Sequence, residues 1–323
     1  MSTFPWEAAQ TTLPVPNAAS PWLRRWCSPQ SMLVIDNCRD EELLLMQVLV
    51  QAKQSRARIL LAHVAGQERE STPHEASLLI DRKSTAQPNL SRMADRLRWM
   101  GISCQSLTLW GPAEEEIPSL ARRCKADRVL IATQREPGPG SLRPAMIVEK
   151  LLPRLDVPVC IVGDSVPAAP QSSVSARRIT LAISLRSDFE LPLKFACKLA
   201  QEYQAVLTVI HVFDSTLPGG QAGERTPTEI ASRLPNWIRK KTPVSCPLQV
   251  AVRAGDPGTE IVRHATANHQ DLIIFCSTGS AAAAGACSRG VIRTVISEAH
   301  CPVLVPGQAL PRLNAQEMQP HRM

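Results

Sequence analysis

Trp110-Gly111-Pro112-Ala113-Glu114-Glu115-Glu116-Ile117 leads into Ala126-Asp127-Arg128-Val129-Leu130-Ile131-Ala132-Thr133 and then into Val157-Pro158-Val159-Cys160-Ile161-Val162. About 144 residues later the same order returns. Gly255-Asp256-Pro257-Gly258-Thr259-Glu260-Ile261 is followed by Gln270-Asp271-Leu272-Ile273-Ile274-Phe275-Cys276-Ser277-Thr278 and by Cys301-Pro302-Val303-Leu304-Val305. A period of this size is that of a domain and not of a solenoid repeat.

The correspondence extends toward the amino terminus of each copy with a slightly larger offset. Met32-Leu33-Val34-Ile35-Asp36 answers to Ile179-Thr180-Leu181-Ala182-Ile183-Ser184, and Ile59-Leu60-Leu61-Ala62-His63-Val64 to Val206-Leu207-Thr208-Val209-Ile210-His211-Val212. In each copy, apolar runs of strand length alternate with segments of helical spacing, such as Leu43, Leu44, Gln47, Val48 and Val50, or Met93, Leu97 and Met100. Gly111-Pro112 turns the chain into a helix whose acidic first turn suits the helix dipole. Val129 to Ala132 reads as a strand buried on both faces. Such alternation predicts an α/β protein of two tandem, doubly wound parallel-sheet domains, each burying its own core.

Residues 31–163 and 177–307 form the two predicted domains, and the Pro-, Ala- and Ser-rich segment 164–176 is the linker. Residues 1–30 and 308–323 lack periodicity and read as disordered tails.

The 323-residue chain carries a net charge of +7, but its basic residues fall in short scattered clusters without interleaved aromatics, so no nucleic-acid partner is expected. Neither a secretory leader nor an apolar run of membrane-spanning length is visible, and a cytoplasmic location is expected. The ten cysteines include no C-x-x-C pair and no zinc-spaced histidine, so reduced thiols and no metal are expected. His63 and His211 occupy equivalent strand ends, which favours a structural role. No Ser-His-Asp or Cys-His arrangement is read from spacing.

An Asp ending the first strand, a His-Val closing the second, a G-x-P turn before the third helix and a final Pro-Val-hydrophobic strand together resemble the universal stress protein family, twice over. The resemblance implies the adenine nucleotide alpha hydrolase-like fold and a stress-response or regulatory protein, not an enzyme. The repeat itself predicts that the halves pack like the two subunits of a family dimer, as an intramolecular pseudo-dimer, and a protein partner or further homodimerisation is expected. Adenylating enzymes related by fold use a glycine-rich loop after strand 1; here that position reads Asn37-Cys38-Arg39-Asp40 or Leu185-Arg186-Ser187-Asp188.

ATP-binding members of the family combine the strand-1 Asp with a G-x2-G-x9-G-[S/T] loop between strand 4 and helix 4. Glycines there admit phosphates to backbone amides, at the carboxyl ends of the strands where open α/β sheets bind ligands. The first half keeps Asp36, but its loop positions are Ala132, Arg135, Ala145 and Met146, and the nearby Gly138 and Gly140 read as a turn. The second half ends strand 1 in Ser184 and reads Cys276, Gly279, Arg289 and Gly290 at the loop positions. Ser288-Arg289-Gly290 is expected to precede a helix carrying Val291, Ile292, Val295 and Ile296, where Arg289 and the helix start would attract an anion. The cofactor-binding candidates are therefore Asp36, Gly279, Arg289 and Gly290, and the cofactor is ATP or another adenine nucleotide, held weakly in a degenerate site. A nucleotide-independent scaffold for protein–protein interaction is the alternative.

Overall fold

The computed structural model describes residues 27–37, 41–65, 87–133, 144–163, 165–167, 176–185, 189–213, 227–242, 246–275 and 286–306. The first half runs β1 (Ser31–Asn37), α1 (Glu41–Ser55), β2 (Arg58–Ala65), α2 (87–99), β3 (Cys104–Trp110), α3 (Ala113–Arg123), β4 (Arg128–Thr133), α4 (Pro144–Leu151) and β5 (Val159–Val162). The second runs β6 (Arg178–Ile183), α5 (Glu190–Glu202), β7 (Val206–Phe213), α6 (Pro227–Lys241), β8 (Leu248–Ala254), α7 (Pro257–Ala267), β9 (Leu272–Phe275), α8 (Ala286–Glu298) and β10 (Val303–Val305).

The ten strands among the described residues lie in one sheet ordered β3-β2-β1-β4-β5-β10-β9-β6-β7-β8. Within each half every pairing is parallel, as the strand–helix alternation requires. The exception is the seam, where β10 runs antiparallel to β5 with Leu304 opposite Cys160. These two residues stand at equivalent places in the two copies, so the seam sits on an approximate two-fold axis normal to the sheet.

The repeat survives in backbone detail. Gly111 and Gly255 adopt φ of 140° and 139°, a region costly for any side chain, and each donates its N–H to the carbonyl closing the preceding neighbour strand, Ala65 or Phe213. The non-glycine residues with positive φ also pair off: Arg56 with Gln204, and Lys125 with His269. Asp127 accepts the N–H groups of Gln30 and Ser31 at the entry to β1, and Asp271 accepts those of Arg177 and Arg178 at the entry to β6.

Alternation along the strands builds a core on each face of the sheet. Met32, Val34, Leu130 and Cys160 face α1, α2, α5 and α6, while Leu33, Ile35, Val129 and Ile161 face α3, α4, α7 and α8. Met93 and Leu97 fill the inner stripe of α2, but Met100 lies past the helix end and is exposed. Both cores continue through both halves, which corrects the expectation of separate ones. The physical reason is the β5–β10 pair. It removes both inner edges, so helices of the two copies close over a common surface.

The halves also interlock on each side of the seam. Arg128, wholly buried on the first strand residue of β4, donates to Gln51 Oε1 at 3.1 Å and to Tyr203 Oη at 3.2 Å, the latter on the end of α5. On the opposite face Arg293 of α8 grips Glu149 of α4 through two hydrogen bonds of 2.5 and 2.6 Å. The segments read as tail and linker join in at their described ends. Cys27 is buried and its thiol faces the carbonyl of Phe195, while Val166 is buried and Ser165 bonds the carbonyl of Ser297. The chain thus enters the core four residues before the boundary read at 31.

Candidate functional site

Each half has one place where the strand order reverses. In the first it lies between β1 and β4, where Asp36 pairs with Ala132 and Asn37 with Thr133 at the carboxyl ends. In the second it lies between β6 and β9, where Ala182 pairs with Phe275. These are the crevices in which open α/β sheets bind ligands.

Asp36 occupies the first crevice and is half-buried. Its own carbonyl accepts a hydrogen bond from His63 Nδ1 at 2.9 Å, so His63 ties the end of β2 to the end of β1. His211 repeats that contact on the carbonyl of Ile183 at 3.2 Å in the second half. Both rings are spent on backbone, an anchoring use. The segment following β4, with Arg135, Gly138 and Gly140, lies outside the described residues.

In the second crevice Ser184 follows β6 and is exposed, in the place Asp36 holds in the first. Cys276 and Gly279 lie outside the described residues. Arg289 and Gly290 require a correction. Helix α8 begins at Ala286, so they are its fourth and fifth residues and do not precede it. The cause is local: Ala286 is an excellent helix former, and the apolar-periodic run that marks a helix in sequence began only at Val291. At those positions the N–H groups point to the helix's own preceding carbonyls, so the free donors belong to the start near 286–288. Gly290 is exposed, and a Cβ there would meet nothing within 4 Å, so packing does not demand its glycine.

The antiparallel seam decides how these candidates relate. Because the copies run in opposite directions, Asp36 emerges at one end of the ten-stranded sheet, and α8 with Arg289 and Gly290 starts at the other. The structure does not bring them together.

Among the described residues no group of three or more His, Cys, Asp or Glu side chains could hold a metal ion. Among the same residues no helix is long and apolar enough to cross a membrane. The remaining polar positions serve the scaffold. Asp256 caps α7, accepting from Thr259 N at 2.9 Å and Thr259 Oγ1 at 2.8 Å, and these bonds hold its carboxyl below the usual range. His264, buried on α7, is pushed down by burial and by the charge of Arg253.

Sequence and structure comparisons agree with this geometry. The Universal stress protein family matches residues 175–306. No curated protein matches the chain in sequence. A universal stress protein of Archaeoglobus fulgidus superposes with a TM-score of 0.60 at 18% identity, covering 88% of this chain and 98% of that one. A putative universal stress protein of Pseudomonas aeruginosa superposes at 0.55 and 18% identity, covering 91% and 99%. A universal stress protein solved in complex with cAMP aligns over 41% of this chain and 97% of its own, at 18% identity and a TM-score of 0.32.

The molecule is therefore a tandem α/β protein of the universal stress protein fold. Residues 175–306 match the universal stress protein family model, and the whole chain is similar in fold to solved two-domain universal stress proteins.

Proposed function

We propose that this chain is a non-enzymatic regulatory protein of the stress response that works through protein contacts. In this reading adenine nucleotide is held only weakly, at the mouth of the second half. The reading is supported by the separation of the ligand groups: Asp36 stands at one end of the sheet, and the segment leading into α8 at the other. Each crevice keeps part of what a nucleotide needs, the first a carboxylate for ribose or base, the second a glycine-bearing approach to a helix start. A half-equipped crevice forgoes several charge-assisted hydrogen bonds, each contributing about 1.5–3 kcal/mol. At about 1.4 kcal/mol per tenfold, losing two or three of them moves a micromolar affinity toward the millimolar range.

Titration of the purified chain with fluorescently labelled ATP and ADP tests this directly. Half-saturation near 1 mM, on the order of −4 kcal/mol, is the expected outcome. Low-micromolar binding would overturn the reading and assign an intact site. A flat curve through the millimolar range would favour the alternative, a scaffold of the same fold that takes no nucleotide.

A further inference from the structure

The outer strands of the sheet, β3 in the first half and β8 in the second, are equivalent by the repeat but meet solvent differently. An edge strand presents unpaired backbone groups, and charges or prolines on it discourage pairing with another chain. Strand β8 carries the exposed Arg253 and follows the exposed Pro247. Strand β3 reads Cys104-Gln105-Ser106-Leu107-Thr108-Leu109-Trp110, with neither charge nor proline. Exposed apolar side chains flank it instead: Trp99, 89% exposed, and Met100 stand ahead of its start, and Trp110 ends it. Its backbone has a definite polarity. Ser103 O accepts from Ile59 N at 2.8 Å and Gly111 N donates to Ala65 O at 3.1 Å, so the odd-numbered residues of β3 direct their backbone groups to β2. The even-numbered ones direct theirs outward. Arg98 Nε takes the carbonyl of Cys104 at 2.9 Å, while the outward backbone groups of Ser106 and Thr108 have no partner among the described residues.

We propose that β3 is a self-association edge, on which a second copy of this chain pairs its own β3 antiparallel across a two-fold axis through Leu107. That register sets Ser106 opposite the second copy's Thr108, and Thr108 opposite its Ser106. Both residues direct their N–H and C=O groups outward, so each donor meets an acceptor. Cys104 falls opposite the second copy's Trp110. Alternation puts both side chains on the sheet face covered by α2, where the indole comes beside the Arg98 guanidinium that caps Cys104. Charge on the other face agrees. Helix α3, which covers the neighbouring β2, starts with the exposed Glu115 and ends with the exposed Arg122 and Arg123. A two-fold axis through Leu107 lays the acidic start of each α3 toward the basic end of the other. The strand is thus complementary to itself about its centre in backbone, apolar ends and flanking charge, which selects a second copy as the occupant.

Sedimentation velocity of the full-length protein over a range of concentrations tests this, with a monomer–dimer equilibrium as the expected result. T108P removes an outward N–H and spares the ladder to β2, as proline on an edge strand can. It should weaken the dimer at least about tenfold, since each of the two copies loses one bond across the axis. V252P, at the equivalent place on β8, should leave the dimer unchanged. L107C should give, on mild oxidation, a dimer covalently joined through position 107, located by mass spectrometry. A monomer at every concentration would overturn the proposal. So would a dimer that T108P leaves intact, equal losses from T108P and V252P, or a dimeric L107C protein that does not cross-link at that position. The cross-link reports the register without relying on T108P to fold.

Discussion

Helices α3 and α4 of the first half and α7 and α8 of the second occupy the same places on the same sheet face, yet they meet by different chemistry. Glu114 on α3 reaches Lys150 on α4 across 3.3 Å, an ion pair with both side chains substantially in water. The equivalent residues of the second half are Gly258 and Thr294, where a Cβ built on the glycine would stand 2.8 Å from Thr294 Cβ. One helix pair is bridged by long charged chains, and the other is drawn into direct contact. A further contrast lies six residues along each helix. Leu120 fills the core beneath α3, whereas α7 places His264 there, with Nδ1 within 3.2 Å of Asn268 Nδ2. The fold demands a filled volume at these points and is indifferent to how it is filled. The consequences differ, since a surface ion pair adds little stability and close packing adds more.

The seam offers the severest challenge to this picture of interchangeable halves. A Cβ on Gly163, at the end of β5, would lie 2.3 Å from the carbonyl oxygen of Ile296 in α8. Backbone on backbone leaves no side chain to yield, so G163A is expected to lose about 3 kcal/mol, read by urea denaturation. An unchanged midpoint would mean that the halves are less tightly apposed than described.

The helix pairs should respond unequally. G258A is expected to cost about 1–2 kcal/mol net, the clash with Thr294 outweighing the gain in helix propensity. K150A, on the matching helix of the first half, should change stability by no more than about 0.5 kcal/mol. Equal effects from the two substitutions would erase the contrast between packed and bridged helices.

Acid should act on the second half through His264. Its folded pKa is depressed, so the unfolded chain binds the proton more readily once pH falls below the ordinary value of 6.5. The stability associated with the neutral ring is complete above that pH and declines as pH drops toward the folded pKa. The loss from this one group should stay under about 1 kcal/mol at pH 6. H264L, which installs the residue found in the first half, should flatten stability over this interval. A slope that persists in H264L would place the titrating group elsewhere.

Much of this was legible from residues alone. The positions of β4 and β9 follow from continuous apolar runs that only a strand covered on both faces can use. The entries to α3 and α7 follow from Gly111-Pro112 and Asp256-Pro257, turn chemistry that forces the chain into a new element. The start of α8 was misread because Ala286, Cys287 and Ser288 carry no apolar period, although alanine favours helix strongly. Nothing in the spacing marks Arg128, at the head of the β4 run, as a buried cation held by Gln51 and by a tyrosine of the other half.

Local pattern determined that an α/β module is written twice in this chain, because hydrophobic period, turn residues and capping act over a few neighbours and are preserved in both copies. Only the tertiary structure decided that β5 and β10 run antiparallel. That choice rests on the match of two distant strand edges across an axis, which no local period encodes. It merges the cores, buries Arg128 between the halves and sends Asp36 and the start of α8 to opposite ends of one sheet.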